Sequence, residues 1–64
     1  MTGTELKNFR RSLSMSTTVF GIYFGYKGNP LNVSTQVREM ERERRPVPEW
    51  LEVAIVNYLE KRDV

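Results

Sequence analysis

The chain contains no cysteine and no histidine. It therefore has no thiol or imidazole to serve as nucleophile or general base, and it lacks the ligands from which most protein zinc sites are built. A non-enzyme without cofactor or metal is expected. Disulfides are excluded as well, so a chain of 64 residues must be stabilised by packing or by pairing with a second copy. A chain this short buries only about 60% of the surface its unfolded form exposes, which leaves one core and no second domain. Long apolar runs are missing too. Nothing approaches the roughly 18 residues of a membrane span, and the opening Met1-Thr2-Gly3-Thr4-Glu5-Leu6 has neither the basic nor the apolar region of a secretory signal. A soluble intracellular protein with no membrane partner and no evident small-molecule substrate is expected.

The charge that is present is uneven. The net charge is +2, but residues 1–48 carry eight Lys and Arg against four Glu, whereas residues 49–64 carry two against four Glu and Asp. Such a split suits a body that faces a polyanion and a last element with a different task.

Periodicity and capping residues divide the chain into helices. Thr2 or Thr4 can cap a first helix over about 4–14, where Leu6, Phe9 and Leu13 form one stripe at i, i+3 and i+7. Ser16 offers the next cap, ahead of a short helix over 16–24 with Phe20, Tyr23 and Phe24 on one face. The β-branched and aromatic residues from Val19 to Phe24 also read as a strand, an alternative weakened by the cap and by Gly21. Gly25 suits a helix end, and the Gly, Pro and Asn that follow mark residues 25–32 as a long loop. Asn32 or Ser34 then caps a third helix over 33–44, with Val33, Val37 and Met40 inward and a polar surface outward. Pro46 stops it. A fourth helix over 48–61 opens at Pro48, with Glu49 at the positive end of its dipole and Lys61 and Arg62 at the negative end. Its Trp50, Leu51, Ala54, Ile55, Tyr58 and Leu59, flanked by Val53 and Val56, give more apolar surface than one face of a small bundle needs. The fold expected is all-α and compact, with four or five helices.

Two short helices joined by a turn, the second polar and rich in donors, is the arrangement that lays a recognition helix in the DNA major groove. Leu6, Phe9-Arg10, Leu13, Ser16, Phe20 and Gly25, then Val37, Met40 and Glu41, then the link Arg44-Arg45-Pro46-Val47-Pro48, resemble the Cro/C1-type helix-turn-helix regulators of phages and plasmids. The single-domain size and the Pro-flanked last helix resemble, more narrowly, the anti-CRISPR-associated repressors. This resemblance implies a lambda-repressor-like domain with an extended turn before the recognition helix. It also implies a homodimer that represses its own operon from an inverted repeat in double-stranded DNA, in the cytoplasm of a bacterial host and associated with the nucleoid.

Carried over residue by residue, the resemblance makes Ser34, Thr35, Gln36, Arg38 and Glu39 the readers of base edges. Their chemistry is adequate: Arg bonds bidentately to guanine, Gln to adenine, and a good bidentate pair discriminates by about 1–3 kcal/mol. The bland alternative is that they form a solvated helix face. Thr17, Lys27, Asn29, Arg42, Arg44 and Arg45 are the candidate phosphate contacts, since cations, hydroxyls and helix N-termini supply positioning contacts. For Arg44 and Arg45 the alternative is a solvated charge run paired with Glu41 and Glu43. Trp50, Val53, Ile55, Tyr58 and Leu59 form the candidate dimer surface, with closure of the monomer's own core as the alternative. The family likeness further implies an ion pair between Arg10 and Glu41 that ties the first helix to the third. The competing function is a small helical adaptor or antitoxin-like module that docks on another protein; RNA binding rests only on the basic balance and the aromatics.

Overall fold

Thr2 and Glu5 open the first helix with a reciprocal cap. The Thr2 hydroxyl accepts from the Glu5 amide at 3.1 Å, and the Glu5 carboxylate accepts from the Thr2 amide at 2.8 Å. That amide, and then the hydroxyl, hold the Glu5 carboxyl below its ordinary pKa. In the computed structural model, which describes residues 1–62, the chain is all-α: α1 Gly3–Ser12, α2 Thr17–Phe24, α3 Pro30–Glu41 and α4 Glu49–Arg62. The segment with strand-like composition is α2, started by the Ser16 side chain accepting from the Val19 amide at 3.1 Å.

The first three helices end the same way. Each closes with an i to i−5 amide bond wrapped around an i to i−3 bond, the pair that defines a Schellman motif. For α1 these are Met15 to the Arg10 carbonyl at 3.4 Å and Ser14 to Arg11 at 3.0 Å. For α2 they are Tyr26 to Gly21 at 2.9 Å and Gly25 to Ile22 at 3.3 Å, and for α3 Arg44 to Glu39 at 3.0 Å and Glu43 to Met40 at 3.1 Å. The motif needs a positive φ at its penultimate residue: Ser14 has 56°, Gly25 122° and Glu43 61°. Only the second of these positions carries the glycine that favours it.

The third helix begins earlier than its periodicity predicts. Asn29, not Asn32 or Ser34, is the N-cap; its side-chain oxygen accepts from the Leu31 amide at 2.8 Å, and Pro30 takes the first helical position. The expected long loop over 25–32 is thus a turn of residues 25–29, and the helix stops at Glu41 rather than running to residue 44. The fourth helix starts at Glu49, with the Pro48 carbonyl accepting from the Leu51 and Glu52 amides at 3.1 and 3.2 Å.

One core joins all four helices. Leu6 of α1, Phe20 and Phe24 of α2, Val33, Val37 and Met40 of α3, and Leu51 and Ile55 of α4 are buried. Two glycines let helices approach α3 closely: a Cβ built on Gly21 would stand 2.3 Å from Val33 Cγ1, and one built on Gly3 2.3 Å from the Met40 carbonyl oxygen. Aromatic rings bind α4 to the rest: Tyr58 meets Phe9, Phe24 and Tyr23 at centroid distances of 6.1, 5.7 and 5.9 Å, all close to edge-to-face. Trp50 packs on Tyr26 at 5.0 Å and covers the turn at Gly25, so α4 braces the α2–α3 connection from outside. Burial at this spot raises the pKa of the Tyr26 phenol. Among the described residues no helix is long and apolar enough to cross a membrane.

Candidate functional site

Starting α3 at Pro30 sets which of its side chains face out. At 100° per residue, Leu31, Thr35, Arg38 and Arg42 fall on one stripe at i, i+4, i+7 and i+11, opposite the buried Val33, Val37 and Met40. All four are exposed. Asn32 is exposed beside them, and Glu39 is half-buried on the same flank. Of the five residues expected to read bases, Thr35 and Arg38 lie on this outer stripe and Glu39 at its edge. Gln36 is half-buried on that same flank, one turn on from Asn32 and closer to the buried face.

Ser34 requires a correction. It is only 6% exposed, and its hydroxyl lies 2.7 Å from that of Thr17. This bond ties the start of α2 to the inner face of α3, so Ser34 is a packing residue and is not presented to any partner. The cause is its flank of α3, which packs against the start of α2 at Thr17.

The candidate phosphate contacts divide. Thr17 lines a surface hollow of about 420 Å³ with Lys7, Arg10, Ser16, Arg38, Glu41 and Arg42. Arg44 joins Thr35, Arg38, Glu39 and Arg42 around a second hollow of about 210 Å³. Arg38 and Arg42 border both, so a band of cations runs from Lys7 across α3 to Arg44. Arg45 lies outside that band, near enough to Tyr26 for its charge to oppose the rise in the phenol pKa. Lys27 is exposed in the turn. Asn29 is corrected from a loop contact to the cap of α3, with its side-chain oxygen engaged by the Leu31 amide.

Arg10 faces inward. Its Nε and Nη2 donate to Glu41 Oε2 and Oε1 at 2.6 and 3.1 Å, and its Nη1 donates to the Met15 carbonyl at 2.9 Å. The two side chains are only 15% and 7% exposed, so the bidentate pair joins α1, the α1–α2 link and α3 in a largely dry setting.

On α4, Trp50, Val53 and Leu59 are 48%, 51% and 43% exposed. Val56, at 49%, completes an apolar row at i+3 spacing along the outside of the helix. One expected interface residue, Ile55, is corrected, and another, Tyr58, is partly withdrawn into the core. Ile55 is 1% exposed and belongs to the core, and Tyr58 is half-buried among Phe9, Tyr23 and Phe24. On α2, Ile22 and Tyr23 add apolar surface at 51% and 56% exposure.

Three functional candidates escape a sequence-only reading: Lys7, Leu31 and Asn32. For the last two the signal was present in Asn29-Pro30, a cap residue followed by the residue most favoured at a first helical position. For Lys7 there was none, because its place beside Arg38 depends on how α1 packs across α3. Among the described residues, no group of three or more acidic side chains lies close enough to hold a metal ion. No protein-family model, curated protein or solved structure matches the chain.

Proposed function

We propose that this protein is a double-stranded DNA-binding transcriptional regulator of the helix-turn-helix type. It lays α3 in the major groove and acts as a homodimeric repressor of its own operon on an inverted repeat. The observation that carries the proposal is the outer stripe of α3. A helix whose opposite face is buried, and whose start follows α2 across the turn 25–29, presents Thr35, Arg38 and Arg42 with no ion-pair partner among the described residues. Helix-turn-helix proteins read DNA with the second helix of such a pair, its leading residues against base edges and flanking cations on phosphates. In this chain Arg38 suits guanine, Asn32 suits adenine, and Lys7, Arg42 and Arg44 suit phosphates.

Homodimerisation is supported by the row Trp50, Val53, Val56 and Leu59 on a helix that already supplies Leu51 and Ile55 to the core. The same row favours the second reading, a module that docks on a different protein. Salt separates the two readings. Each phosphate neutralised changes the slope of log affinity against log salt by about −0.9. Titration of duplex DNA from the protein's own upstream region at several salt concentrations should give a steep negative slope, and Arg42→Ala should make it shallower by about 0.9. A slope near zero, or no binding, would leave the protein-docking module as the better account.

A further inference from the structure

Leu31 is the most exposed large apolar side chain among the described residues, at 75%. It is second in α3 and first on the outer stripe. Nothing in the fold needs a leucine there. Its amide is held by the Asn29 cap, it is absent from the core cluster, and leucine's helix propensity is matched by Lys, Arg and Gln, which would leave no apolar surface in water. One turn on, the Thr35 hydroxyl donates to the Leu31 carbonyl at 2.9 Å. With its proton committed to the backbone, the Thr35 hydroxyl can only accept, and the methyl group beside it is free to meet a partner. The leading end of α3 therefore presents an isobutyl and a methyl group side by side, and Arg38 and Arg42 follow on the same stripe. A partner that is anionic overall but carries a small apolar group at a fixed position fits this combination. In the major groove that group is the 5-methyl of a pyrimidine.

We infer that Leu31, backed by the Thr35 methyl, reads the 5-methyl group of a pyrimidine, thymine or 5-methylcytosine, in each half-site. This rests on α3 being the recognition helix. The test starts from a duplex enriched out of a random-sequence pool by the full chain. Each thymine is replaced in turn by deoxyuridine, and in a parallel set each cytosine by 5-methylcytosine, and both sets are titrated with wild type and with Leu31→Ala.

Losing one methyl should weaken wild-type binding about fourfold, the equivalent of about 0.8 kcal/mol for one buried methyl group, and leave Leu31→Ala unaffected at that position. If the source is 5-methylcytosine, adding a methyl should strengthen wild-type binding by the same factor, again only with Leu31 present. Leu31→Ala should melt as wild type does, since the side chain is exposed. Specific binding that ignores every methyl change, or a Leu31→Ala loss equal on all duplexes, would overturn the inference and leave the DNA-binding proposal standing. Failure to enrich any duplex would overturn both.

Discussion

At the scale of single residues, Arg10 and Ser14 show what side chains contribute beyond the apolar pattern. Arg10 and Glu41 sit at 15% and 7% exposure with their bonds satisfied by each other and by the Met15 carbonyl. Removing one partner strands a charge in a poorly solvated place, whereas removing both does not. Arg10→Met should destabilise the protein by about 3 kcal/mol in urea denaturation, and adding Glu41→Met should recover most of that loss. Equal destabilisation by the single and double variants would show that the pair is not coupled. Ser14 holds φ at 56°, where a non-glycine side chain costs on the order of 1 kcal/mol. Ser14→Gly should raise the melting temperature by about 4 °C, and a fall would mean that the serine side chain matters more than its backbone strain. The ion pair was legible through the family resemblance. The end of the first helix near Ser14 was legible too, but the positive φ of Ser14 and Glu43 was not, because serine and glutamate carry no signal for it, whereas Gly25 does.

At the scale of elements, the sequence pattern recovered the number, type and order of helices, and missed chiefly at α3. Its apolar residues Val33, Val37 and Met40 were recognised as the inward face, but they fix only where packing begins, not where the helix does. Asn29 and Pro30 have the composition of a loop, and that composition is equally a cap and a first helical position, the reading that the Asn29 side chain on the Leu31 amide bears out. The error moved the expected reading surface onto Ser34 and off Leu31. A pair of substitutions distinguishes the two helix starts. Asn29→Ala should cost about 1 kcal/mol through loss of the cap, and Asn32→Ala less than about 0.5 kcal/mol, as measured by thermal unfolding. The reverse order would put the helix start back at residue 33.

At the scale of the whole molecule, the fold separates two surfaces. One is the cationic band that runs from Lys7 over Arg38 and Arg42 to Arg44; the other is the apolar row of α4. The sequence revealed the excess of apolar residues in α4 but not how they divide, since Ile55 and Val56 are neighbours in the chain and lie on opposite sides of the surface. A self-complementary patch would pair two copies about a twofold axis, which matches an inverted repeat. Val53→Glu combined with Val56→Glu should shift sedimentation from dimer to folded monomer and weaken binding to an inverted repeat more than to a half-site. A wild type that sediments as a monomer at every concentration would remove the homodimer from the account.

If the outer stripe of α3 reads DNA sequence, loss of its leading arginine must cost specificity, and a competitive band-shift titration measures that cost. Wild type and Arg38→Ala are titrated against the protein's own upstream region and against random duplex of equal length. Wild type should prefer the upstream region, and Arg38→Ala should lose about 1–3 kcal/mol of that preference while keeping its affinity for random duplex far better. Equal affinity of the wild type for both duplexes would contradict sequence reading by α3.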